Sequence, residues 1–443
     1  MADDPPVAED LAAGLDGAPR RATEPGPYDR LLRFVLDSSS RRHWQVIGVS
    51  IALCVVIELI LVPIFYNHFI DLHAYWQGNV AWTHGRDLYG PLSSRSAGRV
   101  PDFIYPPFAL IALAPFTLTS FSVAKVTIVA ASLACLAVSG YVVLRRLRPT
   151  APVHTTVRLV AVAMPVLAVL EPIRTTVGLG QINILLMTAV VVDCLAPSTR
   201  LPRGVLVGLA AAIKVTPAAF LLFFLLRRDF RALATAAVTG VVATGVGFAV
   251  APRESMRFWF GGVLFQPHRV SGPATRENQT IAASLSRLHL PEGAQLVTRV
   301  VLIMIVVVVG AVAIRYADGV LALLANAAVA LLMSPLSWVA HWVWLAPAWL
   351  IIAHRVFATM SDDTASPRRR RGAVVVLVVV TAVFVMSPHD LASRNGPSWQ
   401  PWEHLIVNTY PIMAIAFLGV TAWLALRRRD ADRIDVPTRW SRL

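Results

Sequence analysis

The sequence predicts an all-α polytopic membrane protein, and three observations carry that prediction. Of the 443 residues, 56% are hydrophobic and 15% charged, with a mean hydropathy of +0.62. Apolar runs of about 17 to 25 residues, the length that spans a hydrocarbon layer roughly 30 Å thick, recur along the chain. Arginines gather in short clusters between those runs, where positive charge sets orientation and meets anionic headgroups. A formal charge of +14 would suggest nucleic acid in a soluble chain; distributed between apolar runs, it argues against that partner. Cys54, Cys135 and Cys194 all fall inside apolar runs with no CxxC pair, so they imply neither a disulfide framework nor a metal site.

Residues 1 to 43 are polar and rich in Ala, Pro and Gly, too poor in apolar surface to fold alone, and read as a disordered cytoplasmic tail. Residues 44 to 66 form an uncleaved first span whose amino end is held inside by Arg41 and Arg42, which puts the following loop outside. Further apolar runs lie at roughly 105 to 119, 122 to 144, 154 to 171, 180 to 196, 204 to 226, 230 to 251, 296 to 314, 319 to 336, 342 to 357, 372 to 387 and 403 to 426. If every run crossed once, the clusters "RRLR" (145 to 148) and "TRLPR" (199 to 203) would lie outside, against the positive-inside rule.

Two adjustments restore the rule. The short, proline-containing "YPPFALIALAPF" (105 to 116) lies along the outer surface, and "GVLVGLAAAIKVTPAAFLLFFLLRR" (204 to 228) is a helical hairpin broken at Lys214 and Pro217, both ends cytoplasmic. A charge and non-helical backbone at that depth require a protein-lined or wet cavity. The expected architecture has about twelve membrane helices over residues 44 to 428, external loops at 67 to 121 and 252 to 295, and a second cytoplasmic tail at 429 to 443. The polar segments "FIDLHAYW", "EPIRTTVGLGQIN", "TRENQT" and "SPLSWVAHW" then share the outer face.

The ordered set "DLHAYWQGNVAWTHGRDLYG", "YPPFALIALAPF", "GLGQINILLM", "GLAAAIKVTP", "NQTIAASLSR" and "SPLSWVAHWVWLAPA" resembles the actinobacterial polyprenol-phosphate-mannose-dependent α-mannosyltransferases, glycosyltransferase family 87, of the membrane-embedded GT-C architecture. The resemblance covers about residues 44 to 428. It implies transfer of mannose from polyprenyl-phosphate mannose, a co-substrate and not a resident cofactor, to a phosphatidyl-inositol mannoside through an α-1,2 linkage. Sister branches transfer arabinofuranose or add α-1,2-mannose branches to lipomannan. It also implies a plasma-membrane protein with its active site on the extracytoplasmic side.

The chemistry can be read beside that resemblance. A sugar on a lipid phosphate has a good leaving group, so the main demand is a base for the attacking hydroxyl, and one carboxylate suffices. Asp71, just after the first span, is placed where an outer-leaflet donor headgroup lies, and the resemblance puts the family's catalytic aspartate there; the structural alternative is a cap on a helix starting near Leu72. His341, within "SWVAHW", is the second catalytic candidate, binding sugar hydroxyls or phosphate or assisting proton transfer.

Lys214 needs a buried partner, either the donor phosphate or a carboxylate such as Glu58 or Glu171. Arg174, Arg276 and Arg287 are further phosphate candidates. His73, Tyr105, Gln181, Asn183, Asn278, Gln279, Trp338 and Trp342 are candidates for the sugar or acceptor, with amide helix caps and interfacial tryptophan anchors as the structural alternatives. "DAD" (430 to 432) follows the last span on the cytoplasmic side and reads as solvated charge, so no metal site is expected. A lipid-linked sugar transporter or flippase is the competing class, but no internal repeat supports it.

Overall fold

The computed structural model describes residues 40 to 65, 69 to 90, 102 to 265, 275 to 392 and 399 to 434. The described chain is a multi-pass helical membrane protein. Its α-helices are α1 (Ser40–Phe65), α2 (Ile70–Thr83), α3 (Phe108–Thr117), α4 (Phe121–Leu147), α5 (Val153–Val169), α6 (Glu171–Leu179), α7 (Asn183–Leu195), α8 (Val205–Ile213), α9 (Leu221–Arg227) and α10 (Phe230–Val250). There follow α11 (Pro252–Trp259), α12 (Ile281–Ser286), α13 (Glu292–Tyr316), α14 (Gly319–Met333), α15 (Leu345–Met360), α16 (Pro367–Met386), α17 (Pro401–Val407) and α18 (Thr409–Ile434). Between the described residues the sole extended pairing is an isolated bridge from Asn278 to Trp338.

Six helices are long and apolar enough to cross a membrane, and a seventh span arises if α5 and α6, bent by 74°, are taken together. The bend has a local cause: Leu170 is extended (ψ 132°) and Pro172 stands in the first turn of α6, where it cannot donate the hydrogen bond that would continue α5. The expected dozen is not reached by length and composition. It counted α7 and α14, which at 13 and 15 residues are only about 20 to 23 Å long, the two halves of the hairpin, and α16, whose 20 residues open with a proline and four arginines. Residues 1 to 39 and 435 to 443 of the expected tails lie outside the described residues. The first helix already begins at Ser40, and "DAD" extends α18 instead of opening a tail.

Both topological adjustments have structural counterparts. α3 has ten residues, too few to cross, and a Cβ on Gly247 near the end of α10 would lie 3.0 Å from the backbone nitrogen of Phe108. Under α2 and α3 lies a second buried core of Leu72, Tyr75, Tyr89, Phe103, Tyr105, Leu110, Ile182 and Phe258, so these two short helices form a packed layer over the bundle.

The hairpin breaks where expected. α8 stops at Lys214, which is extended (φ −144°, ψ 129°), and a short 3-10 helix, Thr216–Phe220, leads into α9. Asp193 accepts hydrogen bonds from the backbone nitrogens of Gly204 (2.9 Å) and Val207 (2.8 Å), satisfying donors that a helix start leaves open. Gly204 sits against Ala232 in the first turn of α10, and α9 ends two residues before α10 begins. Entry and exit of the hairpin therefore meet at one level of the molecule.

Gly204 has φ +99°, and an added Cβ would approach the Ala232 carbonyl oxygen to 2.2 Å. Gly204→Ala is predicted to destabilise the fold by about 1 to 3 kcal/mol through strain and the forced separation of α8 and α10. Thermal unfolding of the detergent-solubilised protein checks this: an unchanged midpoint would refute the close approach.

Candidate functional site

Asp71 lies inside the first turn of α2, not at its cap. The cap position is Phe69, in the left-handed region at φ 42°, with no side-chain capping hydrogen bond. The alternative role for Asp71 as a helix cap is thus absent, and its carboxyl is turned to the α6–α7 junction. Leu179 ends α6, and Gly180 turns the chain at φ +66° with its N–H on the Thr176 carbonyl. A Cβ at Gly180 would come within 2.7 Å of Leu72 Cβ. Glycine is required twice over, for the backbone angle and for the approach to α2. That approach brings Gln181 close to Asp71, whose ionised form is favoured by the Gln181 amide and by the charge of Lys214.

Lys214, at the hairpin break, is 8% exposed. Its Nζ donates to Asn183 Oδ1 at 2.8 Å and lies 3.2 Å from His341 Nε2, with the Tyr105 ring centroid at 5.3 Å. An ammonium has only donors, so His341 Nε2 accepts, which puts the ring proton on Nδ1, 3.3 Å from the Trp338 carbonyl. His341 is held in turn: Thr176 and Asn183 both donate to the Ala340 carbonyl, at 2.9 and 2.7 Å, pinning the 3-10 helix Val339–Trp344 to α6 and α7. The expected carboxylate partners of Lys214 are elsewhere. Glu171 accepts from Tyr410 Oη at 2.7 Å, and both oxygens of the buried Glu58 lack a hydrogen-bond partner.

Beyond the Lys214 cluster lies a cavity of about 510 Å³, bounded by the hairpin break, α7, α14 and the 339–344 helix. Asn183 and His341 face it at one end, and Val190, Phe220, Leu331 and Trp344 are among its mostly apolar walls. One atom of Asp71, Oδ2, is shielded from solvent and has no hydrogen-bond partner. Burial pushes the Asp71 carboxyl up from its ordinary value near 3.8 to about 6, against the opposing pull of the Lys214 charge and the nearby Gln181 amide.

Other expected site residues are built into the frame. Arg174 donates to the Val385 carbonyl (2.7 Å) and to Ser387 Oγ (2.5 Å). Arg276 pairs with Asp390 at 2.7 Å and bonds the Ala392 carbonyl at 3.0 Å. Arg287, 2% exposed, donates to the carbonyls of Thr275 and Asn278 and to Asn408 Oδ1. These contacts make the three arginines anchors between distant segments of the chain, a role that sequence did not separate from phosphate binding. Asn278 and Gln279 zip the "NQT" segment to the "SW" segment: Gln279 N donates to the Ser337 carbonyl at 2.8 Å, and Ser337 N donates to Asn278 Oδ1 at 3.1 Å.

The Gln279 side chain donates to the Arg276 and Val407 carbonyls. Trp342 packs edge-on to Tyr410, while the buried indole nitrogens of Trp338 and Trp342 have no hydrogen-bond partner. His73 stacks on Phe121 with centroids 3.9 Å apart; two residues from Asp71, it leaves the helix on a roughly opposite face. Among the described residues one cluster, Glu171, His389 and Asp390, offers three ligand atoms within 4.8 Å of one another. Its charges are met internally: His389 Nε2 lies 3.4 Å from Glu171, and Arg276 holds Asp390.

Tyr75 was missed in the sequence. Its hydroxyl donates to Gln181 Oε1 at 2.5 Å, and the signal was its i+4 spacing from Asp71, which puts both on one helix face.

A family model described as glycosyltransferase family 87 matches residues 103–336. The chain is 39% identical over 308 residues to a polyprenol-phosphate-mannose-dependent alpha-(1-2)-phosphatidylinositol mannoside mannosyltransferase of Mycolicibacterium smegmatis, covering 64% of this chain and 69% of the relative. A protein of the same description from Mycobacterium tuberculosis is 38% identical over 298 residues, covering 64% and 70%. A pentamannoside mannosyltransferase of Mycobacterium tuberculosis is 29% identical over 355 residues, 77% of each chain. No solved structure matches the chain.

Arg287→Lys keeps the charge but loses the fork that reaches three acceptors. The variant is predicted to lose stability by about 1 to 3 kcal/mol and to exchange amide hydrogens faster over residues 275 to 288, with donor KM unchanged. A large rise in donor KM at unchanged stability would instead make Arg287 a phosphate ligand.

Proposed function

The chain belongs to glycosyltransferase family 87, and on that footing we propose that it moves mannose from polyprenyl-phosphate mannose to a phosphatidyl-inositol mannoside, forming an α-1,2 linkage. The observation that carries the reading is that Asp71, whose Oδ2 has no hydrogen-bond partner, lies within electrostatic reach of the buried Lys214 ammonium, whose own partners Asn183 and His341 line an apolar cavity. Relatives described as transferring mannose from this donor to phosphatidylinositol mannosides supply the substrates. Family membership displaces the transporter reading. The site faces the extracytoplasmic side in this proposal, on the strength of the arginine distribution.

The acceptor hydroxyl attacks the anomeric carbon while Asp71 takes its proton. The bond from that carbon to the phosphate oxygen breaks, and the polyprenyl phosphate leaves with the electron pair. Attack opposite the leaving group inverts the anomeric centre. Departure converts a singly charged diester into a monoester able to carry a second negative charge, and this growing charge is what a fixed ammonium stabilises.

Two of the three Lys214 N–H bonds are committed to Asn183 and His341, which leaves the third for the phosphate. His341 acts through Lys214: its neutral ring accepts from the ammonium and fixes its direction. The isoprenoid tail occupies the apolar cavity beyond.

Asp71→Asn is predicted to lower kcat by about 10²- to 10⁴-fold, the range of a general base, with donor binding retained; undiminished turnover removes Asp71 from that role. Because the carboxylate is the active form and its pKa is raised to about 6, kcat/KM should fall with decreasing pH through a limb centred near 6. A limb near 4 would show a solvated carboxylate instead. Lys214→Met should weaken transfer far more than it weakens acceptor binding, measured with a fixed donor and varied acceptor.

A further inference from the structure

The amide of Gln181 sits in an unusual hydrogen-bond environment. Its Oε1 receives the Tyr75 hydroxyl at 2.5 Å, the Tyr105 hydroxyl at 3.1 Å and the Ile182 backbone N–H at 3.1 Å. The two phenol oxygens are themselves 3.1 Å apart. An amide oxygen is an acceptor only, so three converging donors decide which end of the side chain is oxygen. The NH₂ end is thereby turned to the other side, toward the helix that carries Asp71, which approaches Gly180 closely at Leu72 and presents Tyr75 one turn on from Asp71.

The clamp is rigid. Tyr75 is fully buried and Tyr105 4% exposed, their rings meet edge-on at 5.2 Å, and Tyr105 is further fixed by the Tyr89 hydroxyl, which donates to its carbonyl at 2.9 Å. Gln181 itself follows Gly180, whose close approach to Leu72 sets the distance between the amide and the helix carrying Asp71.

We infer that Gln181 is a positioning residue for Asp71: Tyr75 and Tyr105 lock its amide with the NH₂ end toward Asp71, so that an N–H steadies the carboxylate as it takes the acceptor proton. This assigns Gln181 a role different from binding sugar hydroxyls, and it rests on the reading of Asp71 as the base. A neutral donor suits the task. It orients the carboxylate without supplying a full positive charge that would depress its basicity, as an arginine in the same place would. The aromatic clamp carries no titratable change near neutral pH, so the orientation holds across the working range.

The test uses the purified full-length protein with polyprenyl-phosphate mannose and a phosphatidyl-inositol mannoside, and compares Gln181→Leu, Tyr75→Phe and Asp71→Asn. Gln181→Leu should lower kcat by about 10- to 100-fold, the loss expected for a hydrogen bond to a charged group, with acceptor KM nearly unchanged. Its acid limb should move to higher pH, because the bond that favoured the ionised carboxylate is gone. Tyr75→Phe keeps the ring and should shift both quantities in the same direction by less; it carries the test alone if Gln181→Leu fails to fold. An inactive Asp71→Asn together with unmoved limbs in both other variants overturns the positioning role and leaves the base intact. A raised acceptor KM with unchanged kcat in Gln181→Leu overturns it in favour of sugar contact. Full turnover by Asp71→Asn removes the base, and the positioning role falls with it.

Discussion

A lysine ammonium enclosed at a helix break inside an apolar bundle is the constraint on which the site depends. Inserting such a charge at mid-membrane costs about 2.5 to 3.5 kcal/mol on biological scales, and neighbouring structure must supply acceptors without lipid or water to help. Three separate elements converge to do so. The α6–α7 turn brings Asn183, the 339–344 helix brings His341, and the segment before α3 brings the face of Tyr105. Each is irregular backbone, tolerated at this depth because it is enclosed by protein. The regular helices around them hold these breaks in register.

The partners of Lys214 have an electrostatic logic. All three direct contacts are neutral, so the ammonium keeps its net charge for a ligand. Arg174, Arg276 and Arg287 differ: Arg276 meets a carboxylate, while Arg174 and Arg287 bridge distant carbonyls. They spend their hydrogen bonds on shape. The cation that the proposed reaction uses and the cations that brace the fold are thus distinguished by what they touch, not by their residue type.

That difference explains what sequence could show. The hairpin break at Lys214, the short helix at 108 to 117 and the nearness of the GQIN and SWVAHW segments were legible, because cost of burial, proline placement and arginine distribution leave marks in composition; that Lys214 meets Asn183 and His341, and not Glu58 or Glu171, was not. The crossing count was less so: α7 and α14 are apolar enough to span but too short, and hydropathy alone does not measure where a helix stops. The roles of Arg174, Arg276 and Arg287 were hidden because their partners, backbone carbonyls together with the side chains of Ser387, Asp390 and Asn408, lie up to 213 residues away, which no local pattern records. Tyr75 was visible as an i+4 neighbour of Asp71 yet looked like a core aromatic, which it also is.

The hairpin of α8 and α9 has a further meaning. A segment that dips inward and returns contributes an even number to the passage of the chain, so the orientation of everything after Phe230 is the same whether the hairpin is deep, shallow or lost. An intrusion of this kind can lengthen, shorten or change its tip chemistry without inverting the carboxyl-terminal half. The tip bearing Lys214 is therefore a place where the reactive machinery can vary while the parity of the whole molecule stays fixed.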